Sequence, residues 1–262
     1  MAVSNEYQAQ SAGSGCFKEA VCIDTKRIYD SCSDKDCLED LQVFFTTAQQ
    51  PIVDQAISVK ARKVEVLNVY LAVEPVPFNK GFYSVDMTFF FGVSLSCYTS
   101  PLSPSVPVEG LATFSKKVIL YGSEGNVKVY TSDLTRSDDC RVNNMPKASV
   151  QVVDPICLSC RICECPQYNC EPLGVLPDCI TAQFDGVFQG VTPSRVVYIS
   201  LGLFTIVQIE RCVQMMIPAY DYCVPDKESV CTTDDPCELF KRIKFPTDEF
   251  FPPKLSDLTC EE

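Results

Sequence analysis

A strict two-residue alternation is the strongest constraint on what this chain can fold into. From Tyr83 to Cys97, the side chains of Tyr83, Val85, Met87, Phe89, Phe91, Val93, Leu95 and Cys97 fall in one phase; Ser84, Asp86, Thr88, Phe90, Gly92, Ser94 and Ser96 fall in the other. Successive strand residues point to opposite faces of a sheet, so this pattern predicts a half-buried strand or pair of strands. The segment Arg195–Ile217 repeats it with Val197, Ile199, Leu201, Leu203, Thr205, Val207 and Ile209, predicting two strands or one very long one. From Ile57 the same period runs through Val59 and Ala61, slips near Lys63, resumes at Val64 and Val66, and slips again near Asn68 before Val69, Leu71 and Val73. Bulges in a long antiparallel strand produce such slips.

Further strand-like runs lie at Thr113–Tyr121 and Asn126–Thr131, separated by the turn GSEG, and at Ala148–Val153 and Thr181–Phe188. Strands are therefore expected near 55–97, 111–131, 148–158 and 180–217, with helix confined to 34–41 and 235–241. Many half-buried strands need two packed faces, so the expected class is mainly β: antiparallel β-sandwich-like sheets with short helices and long cysteine-rich loops. A length of 262 residues accommodates one large domain or two. The expected organisation is a flexible arm (1–15), a first β-rich domain (16–139), a second (148–244) carrying a cysteine-rich loop at 157–179, and an aromatic, proline-punctuated tail (245–262).

The segment YDSCSDKDCLEDL, Tyr29–Leu41, is the clearest local signal. Ser33 followed three residues later by Asp36 resembles a capping box with the shorter acid, and acids in a first turn suit the helix dipole; a short helix is expected. The same carboxylates do not make a calcium loop, because no Gly at the sixth position and no Glu at the twelfth fall in register.

Histidine is absent, which removes the commonest base near neutral pH and every Ser-His-Asp or Cys-His nucleophile. No carboxylate pair is placed around a substrate by the pattern either, so no enzyme and no small-molecule substrate are expected. A net charge of −12 repels nucleic acid and anionic lipid. The most apolar stretch, Val196–Ile217, contains Gln208, Glu210, Arg211 and Gln214, so membrane insertion is not expected. The start, MAVSNEYQAQSAGSGC, has neither a basic nor an apolar signal region, which predicts synthesis in a cytoplasm.

Seventeen cysteines set the opposite problem. Cys157, Cys160, Cys163, Cys165 and Cys170 stand at short spacing, as thiolate ligands of zinc or an iron-sulfur cluster do. The run resembles a bacterial ferredoxin pattern with its third gap shortened. Disulfide pairing is the favoured reading, since the other cysteines are scattered over the whole chain. An odd total leaves at least one thiol without an intrachain partner, and Cys16 and Cys260, near the termini, are the candidates for intermolecular bonds. Phe245, Phe250 and Phe251 in the tail are candidate interface anchors.

VCIDTKRIYDSCSDKDCLEDLQVFF (Val21–Phe45), VKARKVEVLNVYLAVEPVPFNKGFYSVDMTFFF (Val59–Phe91) and CELFKRIKFPTDEFFPP (Cys237–Pro253) resemble a family of uncharacterised cysteine-rich proteins from anaerobic spore-forming Firmicutes. The resemblance implies a component of a spore coat, exosporium or spore appendage, deposited on the spore surface. The resulting expectation is a self-assembling structural protein, a homo-oligomer or polymer whose lattice or fibre is stabilised by disulfides. The alternative is a cysteine-ligated zinc or iron-sulfur module.

Overall fold

The computed structural model describes residues 19–125, 128–129, 142–143, 145–164, 174, 176–188 and 193–219. In chain order the elements are β1 (Glu19–Val43), α1 (Gln50–Gln55), β2 (Ser58–Pro75), β3 (Phe82–Tyr98), β4 (Val106–Tyr121), β5 (Lys128–Val129), β6 (Val142–Asn143), β7 (Lys147–Val152), β8 (Ile156–Glu164), α2 (Asp178–Thr181) and β9 (Arg195–Ala219). Thr25–Val213 forms one compact unit, while the ends of β1 and β9 beyond it, Glu19–Asp24 and Gln214–Ala219, belong to a second. Residues on both sides of 140–147 lie in the first unit.

The protein is mainly β, with two principal antiparallel sheets. One has the order β2-β3-β4; the other has the order β1-β9-β7, with β8 also paired to β9. The alternation read from Tyr83 to Cys97 explains why β3 is central. Val85, Met87, Phe89, Phe91, Leu95 and Cys97 are buried on one face, and Val197, Ile199, Leu201, Leu203, Val207 and Ile209 of β9 meet them in one hydrophobic cluster. Each large apolar side chain removed from water contributes roughly 1.5–3 kcal/mol, which offsets the entropy of fixing such long strands. The expected slips in β2 are present as register shifts between Ala61 and Lys63 and between Val66 and Asn68.

Two local expectations are overturned. Residues 34–41 are strand, not helix: Cys32, Leu38, Leu41 and Val43 pack against the core from β1, and tertiary burial outweighs the capping signal of Ser33 and Asp36. Thr181–Phe188 is not a strand. Asp178–Thr181 is a short helix after Pro177, and the segment that follows lays Phe184 and Phe188 with Ile180 onto Phe90 and Leu111. This second small core covers the outer face of β3 and β4, which is why Phe90 is buried despite falling in the polar phase. The helix expected at 235–241 lies outside the described residues, as do the arm and the tail.

A buried arginine sets the turn after β4. Arg211 continues the inward phase of β9; its Nε donates to the Gly122 carbonyl, its Nη1 to that of Gly125 at 3.3 Å, and its Nη2 to the Ser123 carbonyl at 2.9 Å and the Tyr83 hydroxyl at 2.7 Å. The guanidinium also lies 5.6 Å from the Tyr83 ring centroid, a cation–π distance. Replacing Arg211 by Met keeps the volume but strips buried carbonyls of their donor, so the variant should lose about 3 kcal/mol of stability. Urea denaturation followed by circular dichroism measures it; an unchanged midpoint would show that the turn does not depend on this side chain.

Candidate functional site

The acidic-cysteine phrase builds a seam between the two sheets. Asp30, Asp34 and Asp36 share the phase of Cys32 and Leu38 on β1 and so face β4. Lys116 stands in the inward phase of β4, where its side chain is only 10% exposed. Its Nζ donates to Asp36 Oδ2 at 2.6 Å, to the Thr205 hydroxyl of β9 at 3.0 Å and to Asp34 Oδ2 at 3.3 Å. Further along, the Tyr121 amide donates to Asp30 Oδ2 at 2.9 Å. At the opposite end Phe44 and Leu111 exchange backbone hydrogen bonds of 2.7 and 2.8 Å. Gly110 permits that approach, since a Cβ there would stand 2.5 Å from Val43 and 2.6 Å from Phe45. The phrase read as a helix start is therefore a row of carboxylates joining two strand edges.

The cysteine cluster does not assemble as a ligand set. Cys157, Cys160 and Cys163 lie on β8 rather than in a loop, opposite Leu201, Ile199 and Val196. The register shift at Leu158 keeps Cys157 and Cys160 on one side, whereas the three-residue step puts Cys163 on the other. Burial, then the neighbouring Cys157 and Cys97, pushes the Cys160 thiol from its ordinary value near 9 up to about 11, and burial raises Cys97 and Cys157 as well. Neutral thiols are poor metal ligands. Among the described residues no group of three or more Cys, Asp or Glu can hold a metal, and the nine described cysteines are all free. The expected zinc or iron-sulfur module and the expected disulfide-stabilised lattice or fibre are both corrected by these findings. Cys165 and Cys170, the terminal Cys16 and Cys260, and Phe245, Phe250 and Phe251 lie outside the described residues.

Cys163 instead lines an open cavity of about 200 Å³ with Ile57, Ile162, Glu164 and Arg195. Arg161 Nη1 donates to its sulfur at 3.5 Å, while the rest of that guanidinium pairs with Asp40 at 2.8 and 3.2 Å and stacks on Tyr198. Arg195 is held at the mouth by its own backbone amide, which donates to Asp54 of α1 at 2.9 Å.

Among the described residues an apolar patch stands on the outer face of the sheet formed by β1, β9, β7 and β8. Phe204 and Ile206 of β9 are each 41% exposed, Ile156 and Leu158 of β8 are 56% exposed, and Val153 after β7 is 66% exposed. They are neighbours: Ile156 pairs with Gly202, Leu158 lies over Gly202, and the Val153 amide points to the Phe204 carbonyl at 3.5 Å. Lys35 of β1 flanks the patch on one side, its Nζ 5.7 Å from the Phe204 ring centroid. Asp154, beside Val153, turns instead toward the other sheet, where its carboxylate accepts from the Val66 amide of β2 at 3.0 Å. Alternation alone contained the clue, because Phe204 and Ile206 are apolar residues in the phase of β9 that also holds Ser200, Gln208 and Glu210. Clustered apolar side chains on a solvent face mark contact sites.

Exosporium protein A of Clostridium sporogenes is similar to this chain, 44% identical over 59 residues. The match covers 22% of the chain and spans 18% of the relative's length. No protein-family model matches the chain, and no solved structure matches it.

Two outcomes follow from this geometry. Lys116→Met leaves two carboxylates facing an apolar side chain and should cost about 3 kcal/mol, most of it regained in the Lys116→Met, Asp36→Leu double variant; equal denaturation midpoints for wild type and single variant would refute the seam. Cys160 should stay protonated until the pH nears 11, so in the native protein at pH 8 it should alkylate roughly 100-fold more slowly than an unperturbed thiol. Mass spectrometry after timed iodoacetamide exposure reads this, and rapid modification of Cys160 would contradict it.

Proposed function

We propose that the chain is a non-catalytic structural module of the outer layer of a spore, working by non-covalent protein contact and associating with copies of itself. The exposed apolar patch of Phe204, Ile206, Val153, Ile156 and Leu158 carries this reading. Such a surface costs free energy in water and recovers it when a partner covers it, at roughly 25 cal/mol per Å². The similarity to an exosporium protein supports the location, and the free thiols of the described strands support contact without cross-links. The absence of histidine and a net charge of −12 support a role away from acid–base catalysis and away from nucleic acid.

Sedimentation of the full chain under reductant tests the association. The wild type should shift to a larger species as concentration rises, and Ile206→Lys should abolish the shift without lowering the melting temperature. A wild type that stays monomeric throughout would overturn the association. Immunogold labelling of intact spores from the producing organism should decorate the outermost layer; label confined to the spore interior would overturn the location.

A further inference from the structure

The ion pairs of the seam are also placed for a covalent bond. We propose that Lys116 Nζ and Asp36 Cγ condense to an intrachain amide, with Asp34 carrying the proton, so that β4 and β1 become cross-linked. An ammonium has three protons, and that of Lys116 has three acceptors: Asp36 Oδ2 at 2.6 Å, the Thr205 hydroxyl at 3.0 Å and Asp34 Oδ2 at 3.3 Å. Passing the proton that faces Asp36 onto that carboxylate leaves a neutral amine whose lone pair points at the same carboxyl group. The two remaining N–H groups stay held by Thr205 and Asp34, so the nucleophile is oriented before it reacts. Asp36 is the acyl partner because it is the nearer acid and its side chain is 20% exposed, against 47% for Asp34. Asp34 is steadied beside the reacting nitrogen by the Lys35 amide, which donates to its Oδ1 at 2.8 Å. Lys26, Lys63 and Lys117 also form ion pairs, but their side chains are exposed and each meets one carboxylate. Among the described residues Lys116 alone combines burial with two acids.

The step balances within the chain. Nζ attacks Asp36 Cγ, forming the C–N bond and a tetrahedral carbon that carries one alkoxide and one hydroxyl. Asp34 takes a proton from the positively charged nitrogen and delivers it to that hydroxyl. The C–OH bond breaks, the alkoxide re-forms the carbonyl and one water leaves. Ammonium and carboxylate have become amide and water, no oxidant or other co-reactant is consumed, and Asp34 ends as the carboxylate it began as. Burial favours the product, because two charges held away from water cost more than one neutral amide. The bond closes the span of 80 residues between Asp36 and Lys116, restricting the unfolded chain as a disulfide does, yet reductant does not open it. It makes no use of the apolar patch, so it goes beyond the self-association reading and stands apart from it. A thiol-independent staple also suits a chain whose described cysteines are all free.

Intact-mass spectrometry of the full chain, kept under reductant and sampled during incubation at neutral pH, tests the bond. The wild type should lose the mass of one water. Trypsin should then leave the chain uncut after Lys116 and release a branched peptide that joins the segments containing Asp36 and Lys116. Lys116→Arg keeps a cation between the two acids but has no amine to acylate, so it should retain its full sequence mass. Asp34→Asn should form the bond roughly 100-fold more slowly. The branched peptide is read on the wild type itself, so the answer does not depend on how well a variant folds. The recovery expected of the Lys116→Met, Asp36→Leu variant refers to the chain before the bond forms; against the bonded chain both Met variants lack the cross-link and stay less stable. A wild type that keeps its full mass through prolonged incubation, or a water loss that maps elsewhere or persists in Lys116→Arg, overturns the bond. Equal rates in the wild type and Asp34→Asn overturn the proton-carrying role of Asp34.

Discussion

Two cations stand where the strand alternation calls for apolar side chains. Lys116 continues the row of Val108, Ala112 and Phe114 on β4, and Arg211 continues that of Val207 and Ile209 on β9. Neither can be buried among hydrocarbon without partners, because an uncompensated charge in a low-dielectric interior costs several kcal/mol. The fold meets this by bringing the carboxylates of β1 to Lys116 and the carbonyls of Gly122, Ser123 and Gly125 to Arg211. That requirement sets the position of β1 relative to β4: Leu111 meets Phe44, Lys116 meets Asp34 and Asp36, and Tyr121 meets Asp30, a progression along β4 matched by a reverse progression along β1. The outer face of the second sheet follows from it. With β1 drawn against β4 by one phase, its other phase points to solvent and places Lys35 beside Phe204.

Much of the architecture was legible in residue order. Alternation in β3 and β9 predicted the mainly β class, and the two phase slips near Lys63 and Asn68 predicted real irregularities in β2, because a period of two leaves no other way to keep apolar residues on one side. The acidic phrase at Tyr29–Leu41 was misread for a definite reason. Acids beside a Ser satisfy a helix dipole locally, and the same acids satisfy Lys116 about eighty residues away in sequence; local reasoning sees the first partner and not the second. Residues 181–188 failed similarly. Their aromatic residues mimic a strand but cover Phe90, which is visible only once β3 and β4 are side by side.

The cysteines show how strand geometry overrides spacing. In a loop, thiols with two residues between them turn easily toward one ion, and Cys157, Cys160 and Cys163 invite that reading. On β8 the same spacing is divided between two sides, and burial keeps the inward thiols protonated. The charge pattern of the seam held better information: a Lys in the apolar phase of a strand signals a distant acid, and this chain offers a dense set of them in a single phrase.

The irregularities of β2 reach beyond its own register. β2 is the outer strand of its sheet, yet its hydrogen-bonding row is interrupted twice, and the Val66 amide is occupied by Asp154. An incoming extended chain needs several consecutive free donors and acceptors in step to add itself as a further strand. Here the steps are broken at Ala61–Lys63 and at Val66–Asn68, and Lys60, Arg62 and Lys63 place charge along the same stretch. Growth by templated strand addition is thereby disfavoured along this margin of the sheet.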